Sequence, residues 1–584
     1  MDFNTLTDDE LLVLDISCLT DVDLSKLEAR FTKQVKAEAF ALGVDYNFVD
    51  VELIEKMEAK LGLLSLVFTL AYYGGVNYSD TLGTVAIWDS IIFRRLANIN
   101  VAIPQNTMSF KSEYDGGFVK DVTKGRHEWV MSFDLNSLYP MLIVQHNMSP
   151  ETLVKHMKVD GLTPDIMLES NDVQKWNPED GLTVAANGAC FRTDKQGIIP
   201  MIVEEIYSQR VAVKKAMLKA ESEREMTDRG TKRYNELGIE ISLASNKQMC
   251  LKILLNSLYG SCGNRFFRYY SIDIAEGITL SGQYVIRSVE KEINLFLSTA
   301  LKDKPNKIVD RVIASDTDSI YVAVSDVINI CKPEDPHEFC KEFANTALEP
   351  VIKRTYENLA RKTNAYKNTM AMKLEKISSV AIFTAKKRYI LNVLSSEGVV
   401  YSKPKMVMKG IEAIKSSTPK ICRTEFKDIF NLLITGTEQD LQKRVLEFEK
   451  IFAEHPIEQI AVPRGVSNIK KYMQKTAPYY IKGTPQNSRA AIMYNRLVKE
   501  KGLENKHYYL KNGDRLRFIF LKKSNPTREN VIGFIDKFPS EFDLDEWIDR
   551  DTLFDINFRK PLQLILDAIG WKNTATSSLE DFFS

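Results

Sequence analysis

The sequence predicts an α+β protein that is divided into several domains. The chain has 584 residues, which is too long for one compact core. Its composition, 44% hydrophobic and 27% charged, is that of an ordinary globular protein. Segments with helical periodicity near both ends flank a middle part in which short strands, turns and long charged helices follow one another.

The first predicted elements are helices, and strands follow them. Residues 21–42 and 49–73 have the apolar spacing of helices. Residues 106–200 shift to short strands, with turn signals at Asp115-Gly116-Gly117 and at Asn187-Gly188. The early part of the chain therefore changes from helical to mainly extended structure near residue 106.

A hairpin of helices and then a hairpin of strands are predicted next. Residues 204–237 favour a charged helix, and residues 243–258 would form the arm that returns along it. Residues 308–324 predict a strand, a tight turn with two acids, and a second strand. From about Gly410 the pattern returns to helices, and a tail rich in Ser and Thr begins at Asn573.

Charge and cysteine content exclude several classes of protein. The formal net charge of +0 gives no global sign of nucleic-acid binding, but residues 386–420 carry eight bases and two acids. Seven cysteines without a C-x-x-C pair argue against a zinc site and a disulfide scaffold. No signal peptide opens the chain, and the apolar stretch at residues 61–76 is too broken to span a membrane. We expect a soluble cytoplasmic protein.

Three sequence blocks contain the residue types that nucleotidyl transfer needs. Asp134 lies in SFDLNSLYP, Lys252 begins KILLNSLYG, and Asp316 and Asp318 lie in SDTDS. Acids from separate strands can hold two divalent metal ions, because Mg²⁺ takes hard oxygen ligands from a few carboxylates and from substrate phosphates. Asp318 is the stronger ligand candidate because it lies nearest the second strand. Alone, the DTDS turn would more often be a plain surface hairpin.

Cations and polar groups on the predicted helices suit a triphosphate. Lys252, Asn256 and Tyr259 share one helical face. Arg210 and Lys214, at i and i+4, could contact the β- and γ-phosphates, although a solvated face explains that pattern better when it is taken alone.

An aromatic residue in the first block suggests a second kind of contact with a nucleotide. Tyr139 could pack under the sugar and exclude a 2′-hydroxyl group, and the alternative is an ordinary core tyrosine.

These blocks resemble motifs of family B DNA polymerases, most closely those of T-even-like tailed phages. The first block continues through Ser149-Pro150-Glu151-Thr152, the second matches K-x-x-x-N-S-x-Y-G, and the third matches D-T-D-S. Further matches are Tyr114-Asp115-Gly116-Gly117, Lys386-Lys387-Arg388-Tyr389, Lys409-Gly410-Ile411-Glu412 and the thumb-like Val462-Pro463-Arg464-Gly465-Val466. The resemblance runs from about residue 40 to the last residue, and its ordered motifs make chance agreement negligible.

The resemblance implies a right-hand polymerase fold. It would contain a palm of antiparallel sheet and helices, helical fingers, a thumb and a partial exonuclease domain. The domains would be residues 1–105 (exonuclease-like region), 106–200 and 261–410 (palm), 201–260 (fingers) and 411–584 (thumb with a clamp-binding tail). The implied activity is template-directed addition of dNTPs to a primer 3′ end in phage DNA replication.

The resemblance also assigns roles to individual residues. Two Mg²⁺ ions, with Mn²⁺ as an alternative, would be bound by Asp134, Asp318 and the Leu135 carbonyl, with Asp316 in support. The nucleotide would be held by Arg210, Lys214, Lys252, Asn256 and Leu135, with Tyr139 as the sugar gate. The DNA would be contacted by Tyr114, Gly116, Gly117, Tyr259, Gly260, Lys386, Lys387, Arg388 and Tyr389.

The N-terminal part departs from the family pattern. A 3′–5′ exonuclease needs acids from three motifs, and only the third, with Tyr46 and Asp50, has a counterpart here. The chain would be either the C-terminal part of a split polymerase, completed by an exonuclease chain, or a truncated polymerase without proofreading. We favour the split, because the apolar residues 61–73 would need a partner to cover them.

The C-terminal tail resembles the clamp-binding tails of these polymerases. Leu579, Phe582 and Phe583 would enter an apolar pocket on a sliding clamp, and the alternative is a tail that packs on its own thumb.

Two other classes of protein compete with the polymerase interpretation. A non-catalytic scaffold subunit predicts damaged metal or triphosphate positions, and Asp134, Asp318 and Lys252 are all intact. An RNA polymerase or reverse transcriptase is disfavoured by Tyr139-Pro140 together with the second block. The expected partners are primer-template DNA, dNTPs, the exonuclease chain and the clamp, without a membrane, in the cytoplasm of an infected bacterium.

Overall fold

The computed structural model describes residues 48–106, 113–170, 176, 181–303, 307–477 and 479–573. The predictions made for residues 21–42, for Tyr46 and for the tail residues Leu579, Phe582 and Phe583 lie outside the described residues. The chain divides into two compact units. The first comprises Met1–Lys111 and Met201–Tyr270, and the second comprises Ser112–Pro200 and Ser271–Ser584.

Helices and antiparallel strands both contribute, which confirms the α+β class. The helices are α1 (residues 48–61), α2 (Leu63–Gly74), α3 (Thr84–Asn98), α4 (Leu138–Gln145), α5 (Pro164–Glu169), α6 (Ile198–Glu225), α7 (Lys232–Cys262), α8 (Ile272–Ala300), α9 (Ser325–Cys331), α10 (Pro336–Phe343), α11 (Glu349–Lys362), α12 (Lys420–Thr435), α13 (Glu438–Glu454), α14 (Ile457–Ile460), α15 (Ile469–Tyr472), α16 (Gln486–Glu500), α17 (Arg550–Phe554) and α18 (Lys560–Ile569). Among these helices, none is both long enough and apolar enough to cross a bilayer.

The strands form three antiparallel sheets in the second unit. They are β1 (Gly125–Leu135), β2 (Leu153–Lys158), β3 (Leu182–Val184), β4 (Ala189–Arg192), β5 (Val312–Asp316), β6 (Ser319–Ala323), β7 (Met372–Ala385), β8 (Arg388–Ser396), β9 (Val399–Lys409), β10 (Val462–Gly465), β11 (Arg515–Phe520) and β12 (Val531–Phe534). The largest sheet has six strands in the order β5-β6-β1-β7-β8-β9, and the two three-stranded sheets have the orders β2-β4-β3 and β10-β11-β12.

The first unit is held together by buried contacts of α3 with α7. Trp88 on α3 is fully buried, and its indole Nε1 donates to the Leu254 carbonyl and to the Ser257 hydroxyl, each at 3.2 Å. Arg268 donates two hydrogen bonds of 2.8 and 3.1 Å to the Asp89 carboxylate. Because a buried indole N–H needs an acceptor, these bonds fix the register between the two helices.

The large sheet of the second unit has two apolar faces. On β8, Ile390 packs into a core built mainly from residues 411–566, whereas its neighbours Tyr389 and Leu391 pack with Val130 and Tyr321 on the opposite face. Successive residues of a strand point to opposite faces, so both faces of β8 are committed to packing. The sheet therefore cannot slip by one residue without exchanging the two cores.

The structure confirms the two predicted hairpins and corrects their limits. α6 and α7 form the helical hairpin, but α7 begins at Lys232 rather than at residue 243, because the Thr231 side chain caps its first turn through the Tyr234 N–H. β5 begins at Val312 rather than at residue 308. The N–H groups of Val309 and Arg311 donate to the side chains of Ser298 and Asn294 on α8 instead of to a strand.

The predicted return to helices beyond Gly410 is confirmed by α12 to α18, but the sequence analysis missed a small sheet among them. Three short strands, β10 to β12, form a sheet there, and α16 packs beside it. The two outer strands are only four residues long, which is too short for an alternating pattern to show in the sequence.

Acidification should destabilise the second unit through His146. This side chain is fully buried beside the Thr183 hydroxyl at 3.0 Å, and burial lowers its pKa from 6.5 to about 4. The unfolded chain therefore binds the proton more tightly, so stability is unaffected above pH 6.5 and falls as the pH drops from 6.5 to 4. At pH 5 the loss should be about 2 kcal/mol.

Urea unfolding of the protein and of His146→Gln between pH 4.5 and 7.5 measures this loss. The free energy difference between the two proteins should shrink as the pH falls. A matched change at the partly exposed His455, His455→Gln, should leave the pH dependence unaltered. A difference that does not vary with pH would contradict the assignment to His146.

Candidate active site

The two predicted acids of the strand hairpin lie at its turn. Asp316 ends β5 and pairs with Ser319, the first residue of β6, which leaves Thr317 and Asp318 as the turn. Thr317 has a positive φ of 61°, and its N–H donates to the Phe118 carbonyl at 3.0 Å. A β-branched residue rarely adopts this conformation, so the turn is held in its shape by its surroundings.

Pairing of β1 with β6 brings the acids of two blocks together. Asp134, near the end of β1, is the cross-strand partner of Ser319, and the Leu135 N–H donates to the Asp318 carbonyl at 2.9 Å. Asp134 and Asp318 therefore lie side by side at one end of the sheet. Their role as metal ligands stays a prediction.

Asp316 and Asp318 have different environments, as their different predicted roles require. The Asp316 carboxylate lies 3.3 Å from the Lys387 ammonium group. Burial raises the pKa of Asp318, the charges of Asp316 and Glu375 act in the same direction, and Lys409 opposes them. A nearby multivalent cation would relieve this crowding of negative charge.

Glu375 is a fourth acid of the site, and the sequence analysis did not identify it. On β7, Leu374 pairs with Phe133 and Lys376 pairs with Ser132, so Glu375 forms a bulge between them. Its carboxylate accepts a hydrogen bond from the Ser132 hydroxyl at 3.4 Å and contacts Lys376. Only the strand register could have revealed this residue, because the sequence LEK carries no motif.

Lys409 belongs to the matched motif Lys409-Gly410-Ile411-Glu412, but the sequence analysis assigned it no function. Burial lowers the pKa of its ammonium group, but Tyr389, Glu375 and Asp316 together outweigh burial and raise it. The group therefore stays charged near neutral pH and offsets part of the negative charge at the end of the sheet.

The predicted template-side segment is anchored on α8. The Thr279 hydroxyl donates to the Asp115 carbonyl at 2.7 Å, and the Gln283 amide donates to the Gly116 carbonyl at 2.6 Å. Further along, Lys120 is nearly buried and contacts Glu290 at 2.5 Å and Asp310 at 2.7 Å. With the bonds from the Lys120 N–H to the Ser315 carbonyl and from the Thr317 N–H to the Phe118 carbonyl, these contacts hold the backbone of residues 115–120 against the β5–β6 hairpin.

Tyr139 follows β1 at the start of α4. It is partly buried. Burial, with smaller contributions from the charges of Asp318 and Tyr114, raises the pKa of the Tyr139 phenol to about 12. The raised pKa reflects the partial burial of the Tyr139 ring, and its role as a sugar gate stays a prediction.

The predicted primer-binding residues lie at the turn between β7 and β8. Lys386, Lys387 and Arg388 are exposed there, and Lys386 lies 3.1 Å from Asp121. Tyr389 is buried, and its hydroxyl accepts a hydrogen bond of 3.0 Å from Tyr321. The exposed cations can reach phosphates, whereas Tyr389 packs with Tyr321 in the core beside the turn.

The predicted triphosphate residues belong to the first unit. Lys252 and Asn256 are exposed one turn apart on α7, and Arg210 and Lys214 are partly buried on α6. Ser257 points away from this set, because its hydroxyl accepts the Trp88 indole N–H.

The remaining predicted site residues of the first unit lie on other turns. Tyr259 is partly buried and Gly260 is exposed in the last turns of α7. Asp50 of the predicted exonuclease motif is exposed on α1.

The donor set at the sheet end suits a hard divalent cation that also binds substrate. In the part of the chain that the structure describes, no group of three or more His, Cys, Asp or Glu side chains is arranged to hold a metal ion by itself. Mg²⁺ is usually held by one or two carboxylates together with phosphates and water, and Asp134 and Asp318 fit that pattern.

The fold and the site together define a class of protein with acids gathered at one end of an antiparallel sheet, an arrangement that suits phosphoryl-transfer chemistry. Residues 83–568 match the model of DNA polymerase family B, and the chain belongs to this family. It is 30% identical to the DNA-directed DNA polymerase of Enterobacteria phage T4 and 29% identical to that of Escherichia phage RB69, over 92% of this chain in both cases.

The chain spans 65% and 64% of the lengths of these two phage relatives. A more distant similarity, 25% identity over 59% of this chain and 36% of the relative, links it to DNA polymerase 1 of Pyrococcus abyssi (strain GE5 / Orsay).

Removing the ammonium group of Lys120 should loosen the template-side segment. Burial is the largest influence on Glu290 and raises its pKa, while Lys120 opposes it. Lys120→Ala would leave that carboxylate without its cation, which should lower the free energy of unfolding by roughly 2–3 kcal/mol.

Urea unfolding measures the effect, with Lys124→Ala as the matched control because Lys124 is exposed and close in sequence. The control should change stability by no more than about 0.5 kcal/mol. Equal stabilities of the two variants would show that the Lys120 contacts contribute nothing.

Proposed function

We propose that the chain is a DNA-directed DNA polymerase that adds dNTPs to a primer 3′ end by two-metal-ion nucleotidyl transfer in phage DNA replication. The observation that carries the proposal is the backbone pairing that brings Asp134 on β1 beside the turn residue Asp318, with Glu375 and Asp316 near Asp318, in a chain of family B. The phage relatives named as DNA-directed DNA polymerases support it.

Two divalent cations fit the acids at the end of the sheet. Asp134 and Asp318 would hold them with the Leu135 carbonyl, and Asp316, with Lys387 at 3.3 Å, would support them. When bound, the ions supply the positive charge that activates the primer 3′-oxygen and stabilises the pyrophosphate leaving group.

The chain's own residues bind and orient the substrates. Arg210, Lys214, Lys252 and Asn256 hold the triphosphate, since cations one turn apart on a helix suit phosphate oxygens. Tyr139 lies against the sugar and excludes a 2′-hydroxyl group.

Other residues grip the DNA without reading its sequence. Lys386, Lys387 and Arg388 contact primer phosphates, which positions the duplex. Tyr114, Gly116 and Gly117 contact the template strand, and Tyr259 and Gly260 are further DNA-binding residues.

We also propose two protein partners. Leu64, Phe68 and Tyr72 on α2 are exposed apolar side chains, which supports a partner surface here, and an exonuclease chain is the partner that Tyr46 and Asp50 suggest. The tail residues Leu579, Phe582 and Phe583 would bind a sliding clamp.

Primer extension with Mg²⁺ and dNTPs tests the activity. Asp318→Ala should lower the rate by at least on the order of 10³-fold, because it removes a carboxylate from the metal site. The matched control Asp160→Ala, at an exposed acid of the same unit, should extend primers like the unaltered protein. Equal rates for the two variants, or faster use of rNTPs than of dNTPs, would contradict the proposal.

The salt dependence of primer-template binding tests the basic turn. Lys386→Ala should weaken binding uniformly across DNA sequences and reduce the slope of log K against log salt by about 1. Fluorescence anisotropy at several salt concentrations measures the slope. Lys353→Ala, at an exposed lysine on α11, should leave it unaltered, and an unchanged slope for Lys386→Ala would remove the turn from the DNA contact.

A further inference from the structure

Two glycines face the Tyr139 side chain within the second unit. A Cβ atom on Gly117, in the template-side segment, would lie 2.7 Å from the Tyr139 Oη. A Cβ atom on Gly282, in the middle of α8, would lie 3.2 Å from the Tyr139 Cε1. The first distance is shorter than carbon atoms tolerate, and the second requires the ring to move by a few tenths of an ångström.

Space, rather than backbone conformation, explains glycine at both positions. Neither Gly117 nor Gly282 has the positive φ that favours glycine elsewhere in the chain. Within a helix glycine is less favourable than any residue except proline, so Gly282 weakens α8 locally. What it provides is close approach of the ring, since its Cβ would also meet Leu138 at 3.4 Å.

The surfaces on which the two glycines lie are fixed by the same helix. Thr279 and Gln283 of α8 hold the carbonyls of Asp115 and Gly116 at 2.7 and 2.6 Å, immediately before Gly117. Gly282 lies between these two donors in the sequence of α8. The helix α8 therefore fixes both glycines. It holds the segment in which Gly117 faces the Tyr139 hydroxyl, and it carries Gly282, which faces the Tyr139 ring.

We propose that Gly117 and Gly282 are specificity-determining positions, which seat the Tyr139 ring so that a deoxyribose fits beside it and a ribose does not. The proposal rests on the proposed role of Tyr139 as the sugar gate. Neither glycine reacts with substrate; Gly282 is a positioning residue that acts through the ring. Enlarging it drives the ring away from α8, and the proposal places the sugar on the side of the ring that faces away from this helix.

Steady-state incorporation of a dNTP and of the matching rNTP tests the proposal on the full chain. Gly282→Ala should raise KM for the dNTP about fivefold and alter kcat less than twofold, because a displaced ring obstructs binding rather than chemistry. In a Tyr139→Ala background the same substitution should have no effect on KM, since the side chain that it displaces is gone.

Gly277→Ala is the matched control. Gly277 lies on the same helix and is equally crowded, with its Cβ position 3.2 Å from the Asn187 Oδ1, but it does not face Tyr139. This variant should keep the KM of the unaltered protein. A KM effect equal to that of Gly282→Ala, or an effect of Gly282→Ala that persists without the Tyr139 side chain, would overturn the proposal.

Removal of the Tyr139 hydroxyl oxygen distinguishes the effect of Gly117→Ala from that of Gly282→Ala. A Cβ on Gly117 would also lie 3.0 Å from the Thr317 Cγ2. Tyr139→Phe lacks Oη, so it should reverse only the part of the KM increase in Gly117→Ala that comes from the hydroxyl. The KM increase in Gly282→Ala should persist in Tyr139→Phe, because Cε1 remains. The reverse pattern of rescue would overturn the proposed seating of the ring.

A wrong assignment of Tyr139 as the sugar gate would give a result that differs from a wrong assignment of the glycines. If Tyr139→Ala leaves the preference for dNTP over rNTP unchanged, the proposed role of Tyr139 falls and the inference about the glycines falls with it. If Tyr139→Ala relaxes that preference while Gly282→Ala changes nothing, only the glycine inference is overturned.

Discussion

Antiparallel pairing of β6, β1 and β7 is the constraint on which the candidate site depends. Two like charges 4 Å apart repel by about 1 kcal/mol in water and by about 4 kcal/mol near a protein surface, so acids do not gather by themselves. Backbone hydrogen bonds gather them here. The register that pairs Asp134 with Ser319 also aligns Leu135 with the Asp318 carbonyl, and the bulge at Glu375 adds a further acid to Asp134, Asp316 and Asp318.

Cations on the neighbouring strands balance this concentration of negative charge. Lys387 reaches Asp316 from the turn between β7 and β8, and Lys409 stays charged at the end of β9. Gly410 makes this arrangement possible. Its φ is 65°, and a Cβ there would lie 2.1 Å from the Lys387 carbonyl, so only glycine lets the chain after β9 approach the basic turn. The contact between Lys387 and Asp316 thus links the basic turn to the acids.

The sequence was sufficient to predict the structural features that depend on local residue pattern. The strand hairpin around Asp318 and the helical hairpin of α6 and α7 were both predictable from periodicity and turn residues. Features that depend on the pairing register of distant strands were not predictable from the sequence. Glu375 becomes part of the site only because β7 bulges opposite Ser132, and that pairing joins residues more than two hundred positions apart. The short strands β10 and β12 escaped detection for a different reason, since four residues hold too little alternation.

The central place of β1 has a consequence for how the chain is made. Its neighbours in the sheet, β6 and β7, end at residues 323 and 385, whereas β1 ends at residue 135. At a synthesis rate of about 5–20 residues per second, the strand that carries Asp134 waits roughly 10–50 s before both partners exist. Its apolar segment, Val130 to Phe133, lacks at least one of its two partner strands throughout that interval, when exposed strand edges invite association between chains. The yield of folded protein should therefore depend on translation speed and on temperature more strongly than its final stability does.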